Sequence, residues 1–256
     1  MKLPTPVSNP ARAIALSSAG VASRDADAEP ASASTPAAIA IRPTDRTGTK
    51  NTPVETAILA RHGESELSAA GLVNGDPDKP QGLTEIRREQ ARRLGKHLAD
   101  EPIDLCITSE FVRVRQTADL ALAGREIPRL VVPELNDVRF GEFEGRLFDE
   151  YRAWAADRDP SEAPPGGESR AEVAARYVRG FRRVLGRPER TILVVAHGLP
   201  LRYTLLALED LDPTPIVEQV PLAEPYRLTQ AELERATARL ERWSKAPVWA
   251  GLNPNR

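Results

Sequence analysis

From Val54 onward, short apolar runs alternate with longer stretches in which apolar residues recur every three or four positions. The runs TAILA (56–60), IDLCITS (103–109), RLVVP (129–133) and TILVVA (191–196) have the length of strands buried on both faces. Between them lie amphipathic segments. Thr84 stands where it can cap a helix running to about Ala99, with Ile86, Ala91, Leu94 and Leu98 near one face. A second helix is expected over 111–123. Ser169, followed three residues later by Glu172, has the form of a capping box and predicts a third helix with the stripe Val173, Tyr177, Phe181, Val184 and Leu185. Gly186 and Pro188 end it. LPLRYTLLAL (199–208) and TQAELERATARLERW (229–243) read as further helices. This alternation predicts an α/β domain, a three-layer sandwich with a mostly parallel central sheet and helices on both faces.

Residues 1–52 break the pattern. They are rich in Ala, Ser, Thr and Pro and contain no aromatic residue. Such a segment buries too little apolar surface to offset its ordering entropy, so it reads as a disordered extension before a domain of residues 53–256. A secretory leader is the alternative, but the apolar part of ARAIALSSAGVAS is weak for one.

Composition narrows the function classes. The chain has 256 residues, a formal charge of -2, 41% hydrophobic and 28% charged residues. The basic excess of a nucleic-acid or anionic-membrane partner is missing. No run of about 18 apolar residues occurs, so no transmembrane helix is expected. The single cysteine, Cys106, excludes an intramolecular disulfide. One cysteine and three histidines do not make a Cys/His zinc framework. A reduced, cytoplasmic setting with no metal and no cofactor is the expectation. Cys106 lies inside a strand candidate and reads as a core residue. His97 reads as a solvated residue near a helix C-terminus. The pairs Arg87-Arg88, Arg92-Arg93 and Arg182-Arg183 belong to polar helix faces.

The candidate chemistry sits where the apolar runs stop. TAILA is followed by Arg61-His62-Gly63, and TILVVA by His197-Gly198. In open α/β sheets ligands bind beyond the carboxyl ends of the strands. Two of three histidines at equivalent strand ends, with an arginine beside one, suit a dianionic phosphate. Neutral imidazole is a nucleophile through one ring nitrogen when the other is held as N–H. Arginine offers a planar fork of donors for phosphate oxygens. Glycine beside the nucleophile lets a tetrahedral group approach the backbone. His62 would then attack phosphorus while fixed cations stabilise the developing charge.

The ordered set RHGES, LTEIRREQARRLG, TSEFVRVRQTA, LNDVRFGEFEG, PPGGES and VVAHG resembles the histidine phosphatase superfamily, also called phosphoglycerate mutase-like, over about Ala57 to Tyr203. The resemblance implies that His62 becomes a phosphohistidine and that Arg61 and Arg113 bind the phosphate. It implies that His197 contacts the phosphoryl group from the opposite side and that Asp137 is the acid/base. Family members usually have Glu at that last position. Glu142 and Glu144 are nearby alternatives, and Arg115 is the lesser alternative to Arg113. Ser68 stands where many relatives have Asn, and Arg87 where a Gly is common. The loop VNGDPDKPQG (73–82) is expected to cover the pocket mouth.

The expected activity is that of a metal-independent phosphomonoesterase acting on a small phosphorylated metabolite. The alternatives are mutase-type phosphotransfer and a catalytically weak phospho-ligand-binding domain. Family mutases carry a longer insertion between acid/base and second histidine, whereas about 60 positions separate Asp137 from His197 here. Without closure, water reaches the phosphoenzyme. Selectivity is expected from 73–82, from 146–167 and from the region after Pro213. Trp243 and Trp249 near the C-terminus can dock on the domain or on a second subunit, which leaves a homodimer open.

Overall fold

The structure, a computed structural model, describes residues 54–250. The expectations for residues 1–52, extension or leader, lie outside the described residues. Five strands form one sheet: β1 (Thr56–Arg61), β2 (Leu105–Thr108), β3 (Arg129–Val131), β4 (Thr191–Ala196) and β5 (Pro225–Thr229). Their order is β3-β2-β4-β1-β5, with β5 antiparallel to β1 and every other pairing parallel. The four expected strands are present, two of them shorter than their apolar runs. β5 is the unexpected one. It is an edge strand opening on a proline, with only Leu228 fully buried, so neither alternation nor a continuous apolar run announces it.

Seven α-helices accompany the sheet: α1 (Glu66–Ala69), α2 (Glu85–His97), α3 (Val112–Ala121), α4 (Phe148–Ala156), α5 (Arg170–Leu185), α6 (Gly198–Leu208) and α7 (Gln230–Lys245). Alternate residues of the central strands enter two separate cores, as period-two side chains must. Ile58, Ala60, Cys106, Leu193 and Val195 pack with Leu94 and Leu98 and with Val114 and Ala118 of α3. Ala57, Leu59, Ile107, Ile192 and Val194 pack with residues of α4, α5, α6 and α7. The result is the three-layer arrangement with helices on both faces. Among the described residues no helix is long and apolar enough to cross a membrane.

Local details correct several expectations. Thr84 occupies the N-cap position of α2, but its side chain makes no capping hydrogen bond. Ile86 is 80% exposed, so the buried stripe of α2 begins at Ala91. The capping box of α5 has both arms, Glu172 N–H to Ser169 Oγ at 3.1 Å and Ser169 N–H to Glu172 Oε2 at 2.8 Å. Gly186 caps α5 with φ −80°, so no left-handed turn is involved. Cys106 is buried, and burial pushes its thiol up to about 12. His97 ends α2, half exposed, 3.7 Å from Glu224. Trp243 and Trp249 dock on the chain's own domain, their indole N–H groups donating to the carbonyls of Val248 and Arg158.

Candidate active site

The register of β1 and β4 decides the site. Arg61 lies opposite Ala196, and His62 N–H donates to the Ala196 carbonyl at 2.9 Å. Both chains leave the sheet together, so His62 and His197 emerge side by side, ring centroids 5.2 Å apart. Two distant segments converge because adjacent parallel strands end at the same edge.

The tautomer of each imidazole follows from its partners. His62 Nδ1 donates to the Gly63 carbonyl at 2.5 Å, which leaves the Nε2 lone pair as the acceptor. His197 Nε2 lies 2.8 Å from the Ser109 hydroxyl. With Ser109 donating there, the His197 proton sits on Nδ1, 3.3 Å from Asp137 Oδ2. Ser109 carried no assignment from sequence; its neighbour in the chain is an ordinary β2–α3 turn, and only the fold brings it to His197.

Arg113, on α3, is almost fully buried and organises the centre. Its Nε–H donates to His62 Nε2 at 3.2 Å, and its Nη2 lies 3.1 Å from Asp137 Oδ2 and 3.3 Å from His197 Nδ1. Asn74 receives two further bonds, at Oδ1 (2.7 Å) and at its carbonyl (3.0 Å). The guanidinium also lies over the Phe111 ring at 4.2 Å. Arg61 donates to the Val220 carbonyl at 2.8 Å, while its Nε and the Asn74 Nδ2 are buried donors without a protein partner. Arg115 is exposed on the helix surface.

Electrostatics favour a neutral nucleophile. Burial, then the Arg113 cation, push His62 well below its ordinary value. Burial likewise takes His197 down to about 4, against the pull of Asp137. Burial works against a charged Asp137, but His197 and then Arg113 outweigh it and hold the carboxyl well below the usual range. The site at neutral pH therefore has two neutral imidazoles, one carboxylate and two guanidinium cations.

Two buried braces hold this geometry. Thr117 Oγ1 accepts from Gly63 N–H at 3.0 Å and donates to the Arg113 carbonyl at 2.7 Å, tying the nucleophile loop to α3. Arg176 of α5 pairs with Glu168 at 2.7 Å and donates to the carbonyls of Glu134, Asn136 and Asp137, fixing the loop that carries the carboxylate.

The alternatives to Asp137 point elsewhere. Glu142 is exposed. Glu144 receives the Gly75 N–H at 2.9 and 3.1 Å and clamps the 73–82 loop. Gly75 is required there, because a Cβ would stand 1.9 Å from the Val138 carbonyl oxygen. Gly63 has a packing reason instead of the expected substrate approach: a Cβ would press on Leu83 and the Arg87 carbonyl at 3.2 and 3.3 Å. Arg87 does more than favour its helix, since it pairs with Glu64 at 2.6 Å. Ser68 bonds Ser65 at 2.9 Å and lines the cavity.

These groups open into a cavity of about 510 Å³. From the 73–82 loop only Val73 and Asn74 reach it, so that loop does not form the mouth. The walls come from Phe148, Tyr151 and Arg152 on one side and from Pro215 to Leu222 on another. His62, Asp137 and His197 also offer ligand atoms within 4.8 Å of one another, the grouping of a small metal site. The Arg113 guanidinium touches all three, and a permanent cation there opposes a second one.

Comparison with known proteins agrees with this geometry. Residues 57–246 match the family described as the histidine phosphatase superfamily (branch 1). The adenosylcobalamin/alpha-ribazole phosphatase of Salmonella typhimurium is 35% identical over 148 residues, 54% of this chain and 72% of its own. A 2,3-bisphosphoglycerate-dependent phosphoglycerate mutase of Methylobacterium sp. is 36% identical over 171 residues, 60% of this chain and 80% of its own. The crystal structure of the alpha-ribazole phosphatase from Shigella flexneri superposes with a TM-score of 0.58 at 29% identity, covering 67% of this chain and 89% of that one.

Proposed function

The chain belongs to the histidine phosphatase superfamily, and from that premise we propose that it is a metal-independent phosphomonoesterase acting through a phosphohistidine at His62. One observation carries the reading: the neutral His62 imidazole, held in orientation through Nδ1 and with Nε2 accepting from Arg113 Nε–H, lines one cavity with Arg61, Arg113 and Asp137.

A phosphate ester entering this hollow takes over the donors of Arg61, Arg113, Asn74 and His197 Nδ1. His62 Nε2 bonds to phosphorus as the bond to the ester oxygen breaks, and the alcohol leaves with a proton from Asp137. Asp137 is ionised in the free site, so that proton arrives with substrate. Phosphate esters have a second pKa of about 6, and negative charge beside Asp137 raises its own proton affinity. In the second half, Asp137 accepts a proton from water as its oxygen attacks phosphorus. The P–Nε2 bond breaks, and inorganic phosphate leaves with the proton that Asp137 took from water, restoring ionised Asp137 and neutral His62.

Water, not a second bound alcohol, is the acceptor in this proposal. The stretch between Asp137 and His197 is occupied by α4 and α5, which pack into the core. The cavity rim includes Glu218, which is 87% exposed. The mutase reading keeps the support of similarity to several bisphosphoglycerate-dependent phosphoglycerate mutases, the Methylobacterium enzyme among them. A small phosphorylated metabolite as substrate and a cytoplasmic location complete the proposal.

The test is release of p-nitrophenol from p-nitrophenyl phosphate in EDTA by the native protein and by His62→Ala. Turnover that survives EDTA, is inhibited by vanadate and vanishes in the variant is expected. Equal rates in both proteins would remove His62 from the mechanism. Conversion of 3-phosphoglycerate to 2-phosphoglycerate without phosphate release would establish the mutase instead.

A further inference from the structure

The cavity has a second cationic centre away from the phosphoryl-binding groups. Arg170 opens α5, directly after the capping residue Ser169, and is 8% exposed. A helix N-terminus carries partial positive charge, which favours acids and disfavours a cation there. Helix stability does not explain this residue.

Nor does charge pairing. Among the described residues no carboxylate pairs with its guanidinium; the groups around it are the tyrosines Tyr151, Tyr203 and Tyr177, with the Tyr151 ring centroid 5.3 Å away. These hydroxyls are neutral: burial raises all three, and Tyr203 to about 12. Arg170 Nε is buried without a hydrogen-bond partner, as are the hydroxyls of Tyr177 and Tyr203. A buried guanidinium is charged at any working pH, and burying it without a counter-ion is costly. Elsewhere in this chain the same problem is solved by a carboxylate: Arg176 has Glu168, and Arg113 has Asp137.

Arg170 lines the same cavity as His62, Arg61 and Arg113, yet it shares no hydrogen bond with any of them. The geometry points to a second anion-binding subsite: Arg170, beside Tyr151 on the cavity wall, binds a carboxylate or second phosphate of the substrate while its scissile phosphate lies at His62. The inference rests on the phosphohydrolase reading for its catalytic readout. It makes Arg170 a specificity-determining residue and the substrate a phosphate ester with two anionic groups.

Phosphate release is measured on matched pairs, 3-phosphoglycerate against glycerol 3-phosphate and fructose 1,6-bisphosphate against fructose 6-phosphate. The native enzyme is expected to prefer the doubly anionic member of one pair by about 10- to 100-fold in kcat/KM, the worth of a hydrogen bond to a charged group. The preferred pair tells carboxylate from phosphate. Arg170→Met is expected to bring that ratio toward one, mainly through KM, and Arg170→Lys to keep part of it. Ratios near one in the native enzyme, or an equal loss on both members in Arg170→Met, would overturn the subsite. If no ester is hydrolysed, the phosphohydrolase reading fails, and thermal unfolding with the same ligands still decides. A larger Tm rise with the doubly anionic member, lost in Arg170→Met, supports the subsite, and equal rises overturn it.

Discussion

Acidification should destabilise this protein through its buried imidazoles, and His197 allows the size of the effect to be worked out. It is fully buried, and its pKa falls from an ordinary 6.5 to about 4 on folding. The unfolded chain therefore binds a proton between those values while the folded chain does not. Stability is complete above about pH 6.5 and is lost as the pH falls toward 4. For one such group the loss between pH 7 and pH 5 is about 2 kcal/mol. His62 shifts in the same direction and adds to the fall. Asp137 acts with the opposite sign, but its titration lies below this window. Urea unfolding of the native protein and of His197→Asn, at pH 7 and pH 5, isolates the contribution. Asn keeps an N–H donor toward Asp137 and removes the titration. The variant is expected to lose about 2 kcal/mol less than the native protein over that interval. A native protein that loses no more than the variant, or gains stability on acidification, would refute the buried neutral imidazole and with it the poised nucleophile.

Two other outcomes test the site. Asp137→Ala should lower kcat/KM, which reports the phosphorylation half, by about 10²- to 10⁴-fold for an alkyl phosphate such as glycerol 3-phosphate, the usual worth of general acid catalysis, and far less for p-nitrophenyl phosphate, whose leaving group needs no proton; equal losses of kcat/KM on both would remove Asp137 as the general acid. Ser109→Ala removes the donor to His197 Nε2 and leaves a buried acceptor unpaired, which costs about 1–3 kcal/mol. Differential scanning calorimetry should show the lower Tm, and kcat should fall as the Nδ1–H tautomer loses its enforcement; an unchanged kcat would make Ser109 a packing residue only.

The legible part of the site was the part written locally. His62 and His197 announce themselves because each ends an apolar run, and a run of that composition is a strand whatever its neighbours are. Arg61 comes with His62. Arg113 and Asp137 are ordinary residues of a helix and a loop by pattern, and only the ordered resemblance to a family singled them out. Ser109, Asn74, Thr117 and the Arg176–Glu168 pair escaped because their significance is a partner 8 to 88 positions away. α4 and β5 escaped for a different reason: α4 spaces Phe148, Tyr151 and Ala155 helically but over only nine residues, and β5 is an edge strand with a single buried residue and no periodic apolar trace. Ile86 misled because it stands five residues before Ala91, about 140° round the helix from the buried stripe, and so meets solvent.

Local sequence thus determined four of the five strands, the longer helices, the α5 cap and the two histidines at strand ends, since backbone propensity, period and capping act within a few residues. The tertiary structure decided which strands lie side by side, and so that two imidazoles meet at one sheet edge. It also decided that Arg113 faces a carboxylate and Arg170 does not. Register, burial and the balance of charge belong to pairs of residues far apart in the chain, and no single segment contains them.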